Sequence, residues 1–251
     1  MSGPVKSAEP RYSFPTTHWS AILATGSAVP ADTRAALENL CARYWYPLYG
    51  FVRRQGHAHH AAEDLTQGFL ARLLANDGLA KAHPARGRFR SFLLAALRNF
   101  LINDWHRNQA GKRGGGESAQ PVESQAAEEN FAREAVDPGL NPEQAFERNW
   151  ALCVIDQALV MLRAEYAANG REALFDAIAP GIWGGGAPEP QAQQAERLGL
   201  SVTALKVTVH RMRKRLREHL ELQIRATVET DGEVAAELNY LIAAVGKPRS
   251  P

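Results

Sequence analysis

Cysteine is nearly missing from this chain. Cys41 and Cys153 are the two among 251 residues, far apart and each set among apolar residues of helical spacing. This argues against a disulfide framework and fits a reducing compartment, with both thiols acting as small hydrophobes. No apolar run is long enough to span a bilayer, and the opening MSGPVKSAEPRYSFPTTHWS lacks the apolar core of a signal peptide. These absences predict a cytoplasmic protein with no membrane partner. Strand-like alternation is scarce. No P-loop, dinucleotide fingerprint or Ser/His/Asp arrangement occurs, so no enzyme activity, catalytic residue or cofactor is expected. A strong net charge is also lacking, since 29 Lys+Arg against 27 Asp+Glu leave +2. Bulk electrostatics therefore announces no partner, and the distribution of charge carries the information.

That distribution is uneven. Between Lys206 and Arg217 there is no acidic residue, while Lys206, Arg211, Arg213, Lys214, Arg215 and Arg217 crowd one segment. The surrounding stretch, QAQQAERLGLSVTALKVTVHRMRKRLREHL, reads as a helix, a tight turn and a second helix. Small Ala195 suits a helix crossing, Gly199 suits a left-handed helix end, and Ser201 suits a cap. Val202, Leu205, Val209, Met212, Leu216 and Leu220 recur at helical spacing as one apolar stripe. A helix buried on one side and cationic on the others fits the major groove of DNA.

The rest of the chain predicts an all-α fold of two helical domains joined by an acidic flexible linker. Residues 1–30, rich in Pro, Ser and Thr, read as a flexible arm. A first helical domain spans 31–113. Within it Asp32 can cap a helix kinked by Pro47 and ended by Gly56, a second helix starts near Ala58, and a third starts near Arg88. Residues 114–140 lose all periodicity and collect Glu117, Glu123, Glu128, Glu129, Glu134 and Asp137, the composition of a linker. Asn141-Pro142-Glu143 then starts a second domain, 141–220. A 221–251 extension, with Val234, Leu238, Leu241 and Ile242, is expected to pack on that C-terminal domain.

The first domain holds its own basic, aromatic segment, RGRFRSFLLAALRNFLINDWHRNQAGKR. Arg86, Arg88, Arg90, Arg98, Arg107, Lys112 and Arg113 can hold phosphates, and aromatic faces can stack bases released from a duplex. Trp105 is the best candidate for stacking, because Phe92, Leu93, Leu97 and Phe100 read as core.

Together these stretches resemble a bacterial RNA polymerase sigma factor of the extracytoplasmic-function class of the sigma-70 family. LCARYWYPLYGFVRRQG and AAEDLTQGFLARLL resemble that family's first conserved domain, and FRSFLLAALRNFLINDWHR its segment that melts and reads the −10 element. AQQAERLGLSVTALKVTVHRMRKRLREHL resembles its −35-reading helix-turn-helix. The likeness covers residues 35–113 and 145–220. It implies a transcription initiation factor that binds core RNA polymerase and directs it to promoter DNA. Glu63, Asp64 and Gln67 would dock on the clamp of the polymerase's largest subunit. Arg98, Asn99, Asn103, Asp104, Trp105, Arg107, Lys112 and Arg113 would engage the −10 element. Thr203, Lys206, Val207, His210 and Arg211 would face −35 base edges, with Arg213, Lys214 and Arg217 on phosphates. An anti-sigma factor is a candidate third partner. Gly68 departs from the pattern, standing where such helices often carry another acid.

Two other classes compete. A stand-alone helix-turn-helix regulator, with the first domain as sensor or dimerisation module, would bind an intact duplex without polymerase. His57, His59, His60 and Asp64 superficially suggest a metallohydrolase, yet His60 and Asp64 form a two-ligand pair one turn apart and no further ligand motif follows. No metal is expected on that basis.

Overall fold

The computed structural model describes residues 31–75, 88–110, 123–134, 139–182, 189–225, 228 and 231–246. The expected arm at 1–30 and the candidate residues Arg86, Lys112 and Arg113 lie outside them, as do the side chains of Asp32 and Cys41. Among the described residues nine α-helices follow in order: α1 Ala31–Arg54, α2 His59–Ala75, α3 Phe89–Ala110, α4 Glu123–Glu134, α5 Pro142–Ala168, α6 Glu172–Ile178, α7 Gln191–Arg197, α8 Val202–Arg225 and α9 Asp231–Gly246. A short 3-10 turn, Ala179–Gly181, follows α6, and no strand occurs among the described residues. The fold is all-α. No helix among these residues is long and apolar enough to cross a membrane.

The chain divides into two compact units, but not at the stretch whose composition suggests a linker. One unit comprises 1–153, 227–229 and 239–251; the other comprises 154–226 and 230–238. The boundary therefore falls inside α5, and α9 contributes to both units. Periodicity cannot reveal such a boundary, because α5 stays regular across it.

In the first unit α1 is the central helix. Every residue from Arg43 to Val52 is buried, so the helix is enclosed on all sides rather than amphipathic. Its aromatic rings meet each neighbour. Tyr44 lies edge-on to Phe89 of α3, and Tyr49 lies edge-on to His59 of α2 and Phe131 of α4. Gly50 is pressed against α5, where an added Cβ would come within 2.9 Å of the Asn149 amide nitrogen. Pro47 is accommodated without ending the helix, and Gly56 ends the turn beyond it at φ +94°. Where α2 crosses α3, Phe69 and Phe100 pack with centroids 5.8 Å apart, and the ring of Phe100 also lies over Gly68.

The stretch read as a structureless linker contains α4, and α4 is tied down. Ala127 is buried, Arg53 stacks over Phe131, and Glu128 takes hydrogen bonds from the Tyr49 hydroxyl at 2.6 Å and the Arg53 guanidinium at 2.6 and 3.1 Å. Burial alone would raise Glu128, but the hydrogen bonds from Tyr49 and Arg53 outweigh it and hold the carboxyl below its ordinary value of 4.5. A depressed carboxyl stabilises above its unfolded value and loses that contribution as pH falls through the folded one. Glu128→Gln is therefore expected to lower stability to urea near neutral pH, with the difference from wild type vanishing well below pH 4.5. A difference that persists unchanged in acid would contradict this attachment.

Arg90, at the start of α3, faces inward. It is 2% exposed, pairs with Glu147 of α5, and stacks over Trp150 at 4.5 Å and Tyr240 of α9 at 4.4 Å. The 221–251 extension thus packs differently from the expectation. Val234 and Leu238 are buried with the C-terminal unit, whereas Tyr240 belongs to the first unit and covers Arg88 and Arg90. Ile242, expected in the apolar stripe, is 47% exposed.

Within the first unit α5 starts where the sequence places it. The Asn141 side chain accepts from the Gln144 backbone N–H and the Gln144 side chain accepts from the Asn141 N–H, at 2.8 and 3.1 Å, with Pro142 in the first turn. Its far half belongs to the second unit, where Leu162, Phe175, Ile178, Ile182, Leu205, Met212 and Leu216 are the buried apolar core. On the surface of that core Arg215 and His219 of α8 hold Glu165 at 2.8 and 3.0 Å.

Candidate nucleic-acid interface

The turn between α7 and α8 is built by local chemistry. Gly199 adopts φ +65°, a conformation that strains any residue with a Cβ, and its neighbours close the helix end with Leu200 N–H to Ala195 at 2.9 Å. Ser201 accepts the Ala204 N–H at 3.1 Å and so caps α8. Ala195 is buried at the crossing. Beside it the Gln194 amide, also buried, donates to the Ala177 carbonyl at 3.0 Å and ties α7 to α6. Sequence reading passed over Gln194, because nothing in QAQQAER distinguishes the inward amide from the outward ones.

Leu205, Met212, Leu216 and Leu220 form the buried side of α8, joined by Ile224. Val209 is half-buried and Val202 is 39% exposed, so these two positions of the expected stripe are only partly covered. All eight candidates for the −35 element, Thr203, Lys206, Val207, His210, Arg211, Arg213, Lys214 and Arg217, are exposed. At helical spacing Thr203, Lys206, Val207, His210, Lys214 and Arg217 share the face opposite Leu205, Met212 and Leu216.

The cations on α8 are not equivalent. Arg213 donates to the carbonyls of Ile182 at 3.0 Å and Gly181 at 3.4 Å, bracing the turn after α6. Arg215 is engaged by Glu218 and Glu165, whose hydrogen bonds, Glu218's first, raise it above its ordinary value. Arg217 pairs with Glu221 at 2.8 Å. No ion pair involves Lys206, Arg211 or Lys214 among the described residues, and all three lie exposed near His210 on α8.

On the first unit α2 and α3 border a groove of about 700 Å³. His57, Asp64, Gly68 and Arg72 line one side; Phe100, Asp104, Trp105 and Arg107 line the other. Trp105 is 57% exposed, its indole edge-on to His106, while Asp104 holds Arg107 at 3.1 Å. Asn99 and Asn103 are exposed on the same helix. Asp64 and the trio Asp104, Trp105 and Arg107, assigned by sequence to two different partners, thus line one groove. Arg98 lies apart from them. It is paired with Glu143 of α5 and positioned over Phe51.

The three residues assigned to the polymerase clamp separate. Asp64 is exposed and Gln67 half-buried, but Glu63 is 7% exposed and faces His59 and His60 at 3.7 and 3.6 Å. Adjacent helical positions diverge by about 100°, so one of the two carboxylates must turn away from any flat partner.

Comparison with known protein families, curated proteins and solved structures found no match.

Proposed function

We propose that the chain is a transcription initiation factor that binds core RNA polymerase and directs it to promoters. In this reading α8 enters the major groove of the −35 element and α3 engages the melted −10 element. The observation that carries it is the first three turns of α8: capped by Ser201, oriented by Gly199, anchored by Leu205 and Met212, and presenting exposed Thr203, Lys206, Val207, His210 and Arg211. Side chains at a recognition helix's N-terminal end are those that reach base edges. The second support is exposed Trp105, flanked by Asn103 and Arg107, a stacking surface beside directional polar groups. Residues Asp64 and Gln67 are the accessible part of the clamp-binding surface.

A stand-alone duplex-binding regulator is favoured by one observation. Arg98, which would hold −10 DNA, is already paired with Glu143, and this weakens the case for strand capture by α3.

Promoter melting separates the two readings. Permanganate footprinting should reveal unpaired thymines at the −10 element when both this protein and core polymerase are present, and none with the protein alone. Asp64→Arg is expected to abolish that melting while leaving duplex binding by α8 unchanged. Tight duplex binding with no melting under any condition would favour the stand-alone regulator.

A further inference from the structure

The start of α2 brings together three groups that sequence spacing did not connect. His59 Nε2 lies 3.7 Å and His60 Nδ1 3.6 Å from the same carboxylate oxygen of Glu63, and one ligand atom from each residue falls within 4.8 Å of the others. The pair suggested by the sequence, His60 with Asp64, is not the one that converges, because Asp64 turns to the groove while Glu63 turns inward.

We propose that His59, His60 and Glu63 form a binding site for a borderline divalent transition ion, of which Zn²⁺ is the archetype. Tetrahedral coordination at Zn–N and Zn–O distances of about 2.1 Å places ligand atoms roughly 3.4 Å apart. The separations from Glu63 to each imidazole thus need to contract by a few tenths of an ångström. The remaining adjustment falls to His60, whose side chain is 59% exposed and has room to turn.

The surroundings favour metal over an incidental cluster. Tyr49 donates its hydroxyl proton to Glu128 at 2.6 Å, and its oxygen lies 2.7 Å from His59 Nδ1. With the Tyr49 proton so committed, Nδ1 is the ring nitrogen that donates, and Nε2 presents a lone pair on the side of Glu63. A ligating imidazole held through its other nitrogen by a hydroxyl and carboxylate relay is the usual way proteins orient such a ligand and raise its basicity. Glu63 adds a nearly enclosed carboxylate, an environment that is favourable only beside compensating positive charge. An ion among these three groups supplies that charge, and its fourth position opens to solvent past His60. Because His59 and Arg53 meet the same Glu128 carboxylate, occupancy is linked to the attachment of α4.

The site is independent of the transcription reading, so its test uses metal alone. Full-length protein stripped with chelator is titrated with Zn²⁺ by calorimetry, alongside His60→Ala, Glu63→Gln and His57→Ala. Circular dichroism checks that each variant is folded. The expected result is saturation at one ion per chain with micromolar or tighter affinity, roughly tenfold or more weaker in His60→Ala and Glu63→Gln. His57→Ala should bind as wild type, since His57 lies outside the cluster. Affinity should fall as pH drops, because protons compete for the imidazoles. No saturable binding in the wild type, or equal binding by folded His60→Ala, would overturn the assignment.

Discussion

Arg90→Ala is expected to destabilise the protein by about 3–5 kcal/mol, because it removes one partner of a buried ion pair and leaves the other behind. Arg90 is 2% exposed, sandwiched between Trp150 and Tyr240, and bonded to Glu147, whose side chain is 18% exposed. The alanine would leave the half-buried Glu147 carboxylate without this partner and open a cavity beside the Trp150 and Tyr240 rings. Arg90→Met restores most of the volume but not the charge, so it should lose less. Arg90→Lys keeps the charge and forfeits the planar stacking, so it also falls short of wild type. Urea unfolding followed by circular dichroism reads all three. A loss below about 1 kcal/mol for the alanine variant would mean that Arg90 is solvated, as its neighbours in RGRFR suggest from sequence.

The second large effect lies on α8, where different cations should fail in different ways. If α8 reads the −35 element as proposed, Lys206→Ala is expected to cost roughly 1–3 kcal/mol of binding to the preferred sequence and to relax discrimination at one base position. Lys214→Ala should weaken binding to all sequences alike and reduce the slope of log affinity against log salt by about 0.9. Arg213→Ala should act chiefly on stability, since its guanidinium already braces the carbonyls of Gly181 and Ile182. Fluorescence anisotropy on labelled duplexes over a salt series distinguishes these outcomes. Uniform losses for all three variants would reduce α8 to a generic cationic surface.

The contrast between these arginines marks how far sequence reasoning reaches. Ser201, Gly199 and Asn141 were legible because a cap or a turn is settled by residues within a few positions of itself. The buried stripe of α8 was legible because one helix period describes it. Arg90 and Arg98 were not, since their partners Glu147 and Glu143 lie 57 and 45 residues away. The same limit hid α4, where Glu128 meets Tyr49 across 79 residues and nothing in ESQAAEEN announces it. It also hid the inward turn of Glu63, because a run such as Glu63-Asp64 does not say which carboxylate faces the core. Of the candidate site, the outward face of α8 could be read from the chain alone. The groove joining Asp64 to Trp105 required α2 and α3 to be packed.

Size-exclusion chromatography of the purified protein with sigma-free core enzyme from its own source decides whether this chain binds core RNA polymerase as proposed. A stable complex with one copy per core is expected, lost in the folded Asp64→Arg variant. A folded wild-type chain that elutes apart from core would contradict it.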